Sequence, residues 1–476
     1  FGAYRHPHRR WTLTASGSGS FTPVAEAASR RPANRPGSRC PSPAGAIRKS
    51  RTNYGRGHFS AVFDPTPKHT AGFDIEYTER STHMPTLSRT TLGQTQSDSR
   101  YRQHMDGNTL TATANYIWKI DTLGSQFKLI ADYTRYTSDG DNSYHTTTCA
   151  PGTLRDSLYE SATGSVYDIL TADAGLTRKL PHGLTLRAGL RYTRNDMADK
   201  SRYAAQTQGT WLALPEYSYD QHYTEQIGAA YASLEYSAGR WELSAGLRGE
   251  YTSVASQAFG RSYFGLFPNV SVSRALNALR TWLLVAQWSR NIERPAFPAL
   301  NPARIRISDY SWQSGNPSLR PTYIHRFSLT AVWKYRYTLT VGGNLHHDLI
   351  REIAHRDATA PDAVYIRPEN HYTENHWFVA ASVPAKITRW WNLSVNAVGV
   401  MQRIRLNSTD SPATHYLMFA DATCSFTLPA GFFAEAAYRA QSRLYSGNSE
   451  VGPRHTLSAT VKKTALRQTP DAFLHP

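Results

Sequence analysis

Histidine and carboxylate side chains crowd most closely at His346-His347-Asp348. Adjacent strand residues point to opposite faces, so His346 and His347 cannot share an ion, whereas His346 and Asp348 could. The expectation is a solvated cluster at a hairpin end, and the same holds for His371, His376, His6 and His8. The run Asp139-Gly140-Asp141-Asn142-Ser143 resembles half of a calcium loop without the distal glutamate, so a surface turn is expected there. Cys40, Cys149 and Cys424 have neither a CxxC nor a zinc spacing and read as unpaired thiols. No Gly-x-Ser-x-Gly, HExxH, phosphate-binding loop or dinucleotide fingerprint occurs. No catalytic residue, metal site or cofactor is therefore expected.

A second set of charged residues recurs with a spacing of two. In 241–251, Trp241, Leu243, Ala245, Leu247, Gly249 and Tyr251 alternate with Glu242, Ser244, Gly246, Arg248 and Glu250. This is the pattern of a strand with one apolar and one polar face. Arg187 and Arg191 alternate with Leu186, Ala188, Leu190 and Tyr192. Arg336 alternates with Tyr337 and Leu339 in the same way. The polar face then carries Arg187, Arg191, Arg248 and Arg336 together with Glu242 and Glu250. Those arginines could draw in an anionic ligand, but pairing with nearby acids is the expected use.

These strands must be positioned by something larger. The eleven residues of 241–251 extend about 33 Å, with aromatic residues at both ends of the apolar face. Tilted by about 40–45°, such a strand crosses the roughly 25 Å apolar band of an outer membrane. Similar alternation runs from about residue 58 to 463. Tight turns are expected at 65–69, 121–125, 181–183, 238–240, 334–336, 388–390 and 429–431. Longer polar links fall around 80–107, 138–165, 195–222, 290–323 and 349–370. Short and long connections in turn are the mark of a barrel with short periplasmic turns and long outer loops. The fold class expected is an all-β, transmembrane antiparallel barrel, incomplete, with about 17 strands visible. Residues 1–55 are expected to form an irregular basic segment, 56–466 the barrel and 467–476 a tail. The sequons at Asn269, Asn392 and Asn407 are read as strand or loop polarity.

Bulk composition agrees with this reading. Apolar residues make up 40% and aromatics 12%, with 28 tyrosines and 11 tryptophans. No stretch approaches the roughly 20 apolar residues of a membrane-spanning helix, which excludes a helical membrane protein, and the mean hydropathy of −0.51 suits strands that are apolar on one face. The formal charge of +17 is uneven, because residues 1–50 hold eight arginines and one lysine against Glu26 alone. No basic helix or run follows, so nucleic acid is not an expected partner. The chain starts at Phe1-Gly2-Ala3 with no secretion signal, so a fragment or mature portion is expected.

The stretch 263–321 is the most specific. It carries Leu266-Phe267-Pro268, Ser289-Arg290, Arg294-Pro295, Leu300-Asn301-Pro302 and Gly315-Asn316-Pro317-Ser318-Leu319-Arg320-Pro321. This resembles TonB-dependent receptor-like barrels, especially the outer-membrane barrel family of Bacteroidetes type, over about residues 58–463. The resemblance implies a barrel of 22 strands, a plug within it and energy from the TonB complex. Plug, TonB box and closing strands are not found in these residues, so a barrel fragment is expected. The motif residues Phe267, Pro268, Arg290, Arg294, Pro295, Asn301, Pro302, Gly315, Asn316, Pro317 and Pro321 are read as structural.

The expected function is the barrel part of a TonB-dependent transporter for nutrient uptake in the outer membrane of a Gram-negative cell. Its partners would be the lipid bilayer, an unidentified extracellular ligand and the TonB complex through a part not in this chain. An adhesin or structural surface barrel is the alternative. A soluble all-β enzyme or carbohydrate-binding protein is a third reading, for which no converging side chains are found.

Overall fold

A computed structural model describes residues 2–5, 10–30, 44–92, 95–257, 259–308, 311–357 and 364–463. The first sector comprises β1 (Gly2–Arg5), β2 (Trp11–Arg30), β3 (Ala44–Thr66), β4 (His69–Leu92), β5 (Thr95–Lys119), β6 (Gln126–Ala150), β7 (Thr153–Leu180), β8 (Leu184–Thr207) and β9 (Thr210–Ala213). Next come β10 (Tyr219–Ala238), β11 (Trp241–Ser256), β12 (Gly260–Ala275), β13 (Trp282–Glu293), the one-turn helix α1 (Phe297–Leu300), β14 (Arg304–Ser308) and β15 (Ser311–Ser314). The last sector comprises β16 (Thr322–Trp333), β17 (Tyr337–Arg356), β18 (Val364–Lys386), β19 (Trp391–Arg405), β20 (Ala413–Leu428), β21 (Phe432–Gln441), β22 (Leu444–Ser446), β23 (Ser449–Val451) and β24 (Arg454–Lys463).

Eighteen of these strands are ten residues or longer, close to the expected number. They form one antiparallel meander in which each long strand pairs with the next long strand along the chain. Among the described residues β24 pairs only with β21 and β1 only with β2, so the sheet is an open wall.

The burial pattern is the reverse of a water-soluble protein's. Leu190 is 64% exposed, Leu247 49% and Tyr251 55%, while Glu374 and Thr252 are 0% exposed. Apolar side chains on the convex face and buried polar ones on the concave face are what a lipid-embedded wall requires. Exposed aromatics mark both edges of the band. Trp118, Trp241, Trp282, Trp333 and Trp390 stand beside the short turns, and Tyr77, Tyr251, Phe264, Trp377 and Tyr416 stand about one membrane thickness away. The turn-side belt is braced by stacking, as in Trp282 on Trp333 at 5.6 Å and Arg274 over Trp241 at 4.6 Å.

All seven expected turns are short connections at this end of the wall. The outer connections differ from expectation. Residues 80–92 with 95–107, and 138–165, continue the strands as tall hairpins, and in 195–222 the extended β8 turns back through the short β9 and a 3-10 turn into β10. β7 alone has 28 residues, roughly 90 Å of chain and more than twice what the lipid band needs. Asp139–Ser143 is therefore an interior stretch of β6, not a surface turn. Beyond the lipid both faces meet water, so the alternation fades while the backbone ladder, which needs no particular side chain, goes on.

The segment expected to be irregular also holds strands. Trp11, Leu13, Ala15 and Phe21 alternate with Thr12, Thr14, Ser16 and Ser20 in β2, which pairs with β3 from Trp11–Phe63 to Arg30–Ala44. The tail 467–476, His6, His8 and Cys40 lie outside the described residues.

Candidate functional site

The polar face of the wall is functional if it lines a lumen, and a dense network of buried polar groups lies on β10–β12 and β16–β19. Here the connection from β13 to β16 folds inward. Arg294 anchors its start. Its guanidinium donates to the Glu250 carboxylate at 2.5 Å, the Thr252 hydroxyl at 2.9 Å and the Tyr263 hydroxyl at 3.1 Å. Glu225 is 3.9 Å away and accepts from the Asn195 amide at 3.0 Å. Arg248 donates to the other oxygen of Glu250. Buried carboxylates thus meet guanidinium groups, which is how charge is tolerated out of water.

Pro295 and Pro298 then set the chain into α1, and Phe297 and Leu300 pack with Leu319 against Tyr223 of β10 and Val254 of β11. Tyr167 of β7 meets Phe297 edge-on at 6.2 Å. The return depends on Gly315. A β-carbon there would lie 2.4 Å from the Asn301 carbonyl oxygen and 2.6 Å from that of Ala299. Only glycine allows this approach, which lets the Gly315 and Asn316 amides donate to those same carbonyls. Asn301 and Asn316 each accept from a backbone N–H two residues on, at 2.9 and 3.0 Å. The far side of the segment is fixed to β18. β15 pairs with it in parallel, and Asn316 donates to the Pro368 carbonyl at 3.1 Å. Arg320 reaches Asp348 at 2.6 Å.

A second polar centre sits below this attachment. Glu374 accepts two bonds from Arg351, at 2.8 and 3.2 Å, and one from Gln402 at 2.8 Å. His376 and His371 hydrogen-bond to the same carboxylate at 2.9 and 3.2 Å, and His346 Nδ1 meets the Glu374 backbone oxygen at 2.7 Å. Gln402 also donates to the Tyr445 carbonyl, tying the centre to the β22–β23 hairpin. That hairpin rests on β17. Asn448 exchanges two hydrogen bonds with Ala354, and a β-carbon at Gly447 would lie 2.3 Å from the Glu352 carbonyl oxygen. Gln313 of β15 donates to the Glu352 side chain, so both inward segments end on the tip of β17.

Several expectations change here. His371 and His376 are not solvated: they hold a buried carboxylate. His346 and Asp348 do not act as a pair, because Asp348 adopts a left-handed backbone (φ 58°) that interrupts the alternation. His347 stays exposed, 3.5 Å from Asp348. Arg336 lies in the turn before β17, over the Tyr337 ring at 5.9 Å, and not on the strand's polar face. Arg187 pairs with Glu235 at 3.0 Å, and Arg248 with Glu250, whereas Arg191 and Glu242 make no ion pair among the described residues. Phe267 is buried under Arg290, which donates to the Leu266 carbonyl and also covers Tyr323. Pro268 sits opposite Leu247 in the ladder. Among the described residues no three His, Cys, Asp or Glu side chains are arranged to hold a metal ion.

Two aromatic belts, an apolar convex face and a polar concave face define the wall of an outer-membrane β-barrel. The chain belongs to the outer membrane protein beta-barrel family, whose model matches residues 118–472. Comparison with curated proteins finds no match. Among solved structures it is similar to the copper transporter OprC, with 11% identity, a TM-score of 0.59, and coverage of 97% of this chain and 74% of that one. It is also similar to the ferric yersiniabactin uptake receptor FyuA from Yersinia pestis, at 12% identity, TM-score 0.56, and 98% and 69% coverage. The FpvAI–pyocin S2 complex matches at 11% identity, TM-score 0.55, and 97% and 65% coverage. At such identities the likeness is one of fold alone. The family is one of outer-membrane β-barrels, and the protein is one of the outer membrane.

Proposed function

We propose that the chain is the barrel part of a TonB-dependent receptor for nutrient uptake. The carrying observation is the inward fold of 294–321. An open diffusion pore keeps its lumen wet and clear, whereas here a chain segment is fixed across the polar face by buried ion pairs. A segment held on the polar face narrows the path along it, which supports an importer that must move something to pass its solute. The TonB complex would act through a part outside this chain. The relatives by fold include a copper transporter and a ferric yersiniabactin uptake receptor, which supports a scarce solute as cargo. The runner-up is a surface barrel with an adhesive or structural role, favoured by the height of β4 to β8.

The test is growth of the source cell on a panel of scarce solutes, with the gene intact, deleted, or intact in a strain lacking TonB. Uptake lost in both altered strains supports the importer. Unchanged growth with lost surface attachment supports the runner-up.

A further inference from the structure

On the convex face of the tall wall two histidines stand side by side. His83 of β4 lies directly opposite His104 of β5 in the ladder. Their rings are 6.3 Å apart and tilted by 55°. Unlike His371 and His376, which hold a buried carboxylate, both are exposed. They sit six residues beyond Tyr77 of the outer aromatic belt and share its face, about 15 Å above the lipid after tilt. The lumen and its buried centres are on the other side of the sheet.

Carboxylates surround the pair. Asp106 lies 3.2 Å from His104 Nε2. Asp141 of β6 faces His104 across the next ladder, and Asp139 faces Asp106. All three are exposed. Like charges set directly opposite, as Asp106 and Asp139 are, repel across a ladder. Lys200 leans over Gly164 towards Asp139, Arg102 stands one row further out, and Arg202 is engaged by Asp220 and two backbone carbonyls. Among the described residues no lysine or arginine forms an ion pair with Asp106 or Asp141. The patch therefore offers two nitrogen donors in negative surroundings, which suits a borderline divalent cation. Each nitrogen of a metal-bound imidazole lies about 2 Å from the ion, so two rings on one ion have centroids about 5–6 Å apart. A modest rotation of exposed side chains closes the present gap. A hydrogen bond from His104 Nε2 to Asp106 leaves the lone pair on Nδ1 and raises its basicity, the arrangement that supports a metal-bound imidazole. Once one imidazole binds, the other is already in place, so the pair holds an ion more tightly than a single surface histidine.

We propose that His83 and His104 chelate one divalent transition-metal ion on the outer surface of the wall, with copper(II) held more tightly than zinc(II) or nickel(II). Two protein nitrogens define the site, and water fills the other positions. Asp106 positions His104, and Asp141 adds negative potential. The experiment uses the full chain in phosphatidylcholine nanodiscs with Cys40 and Cys424 changed to serine and a nitroxide on the exposed Cys149. The probe is copper(II) iminodiacetate, a chelate that leaves positions free for a histidine pair. Cys149 lies eight residues beyond Asp141 on the same strand face, so pulsed electron paramagnetic resonance should read a copper–nitroxide distance of about 25–30 Å. Echo modulation should show two imidazoles on that copper. His83→Ala or His104→Ala is expected to weaken the binding that gives this distance roughly ten-fold or more, and Asp106→Asn roughly ten-fold. His347→Ala removes an exposed histidine whose ladder neighbours are Tyr323 and Thr373, and should leave the distance and its titration unchanged. Both histidines are exposed, so their loss leaves the ladder intact. Absence of the distance, a single imidazole on the copper, or a distance that persists with the same titration when either histidine is removed overturns the proposal.

Discussion

The wall of β4 to β8 and the sector of β13 to β18 bring their strands out of the lipid in opposite ways. The wall carries its hydrogen-bond ladder straight on into water. Its extension is held by many weak cross-strand contacts, such as Ser97–Thr148, Ser99–Thr146 and Arg89–Asp98. The β13–β18 sector turns its connection back into the concave side. It is held by a few buried groups, chiefly Arg294 with Glu250 and Arg351 with Glu374. Stability spread over a ladder tolerates single changes, and stability placed in a buried ion pair does not.

The sharpest break of this contrast is Arg351→Ala. It leaves Glu374 fully buried without its counter-charge, a loss of about 3–5 kcal/mol. Urea unfolding in lipid vesicles should show it, along with new protease cutting at the β22–β23 hairpin. A loss below about 1 kcal/mol would remove the centre from the account. Next is Leu190→Arg on the lipid face, expected to cost about 2–4 kcal/mol near mid-membrane. Arg191→Leu next door should be far milder in the same assay. Third is Gly315→Ala, where the new methyl forces the Asn301 and Ala299 carbonyls aside at about 1–3 kcal/mol. Proteolysis should then open 294–321 while the β10–β11 ladder keeps its amide protection.

The smallest effect is expected on the wall. Beyond the lipid, hydrogen bonding from Arg89 holds the Asp98 carboxyl below the ordinary carboxylate value. Because the folded value is the depressed one, this contribution is present above the unfolded value and is lost as pH falls through the folded value. In a carbon-detected NMR titration, Arg89→Ala should move the Asp98 midpoint upward, with no measurable change in unfolding. A large fall in stability would show that the wall also rests on single contacts.

The membrane-crossing part of the fold was legible because lipid imposes period two. Trp241 to Tyr251 and the seven short turns could be read directly. The tall hairpins could not, since polar residues on both faces look like loop. The Glu374 centre was hidden for a different reason. In an unbroken strand His346 and Arg351, five apart, face opposite ways, as do His371 and Glu374, three apart. The left-handed residue at Asp348 interrupts β17 between His346, which meets the Glu374 backbone oxygen, and Arg351, which reaches its carboxylate, and no local motif announces it. The Gly315-Asn316-Pro317 motif was visible, but its inward destination depends on partners on β10, β11 and β18 far off in sequence.

The central claim is that one face of this sheet meets lipid and the other an aqueous lumen. Single cysteines at 242 to 249, in a background with Cys40, Cys149 and Cys424 changed to serine, would each carry a spin label in vesicles. A lipid-soluble relaxation agent should act at 243, 245, 247 and 249, and a water-soluble one at 242, 244, 246 and 248. Water access at every position, or alternation of the opposite phase, would contradict the account.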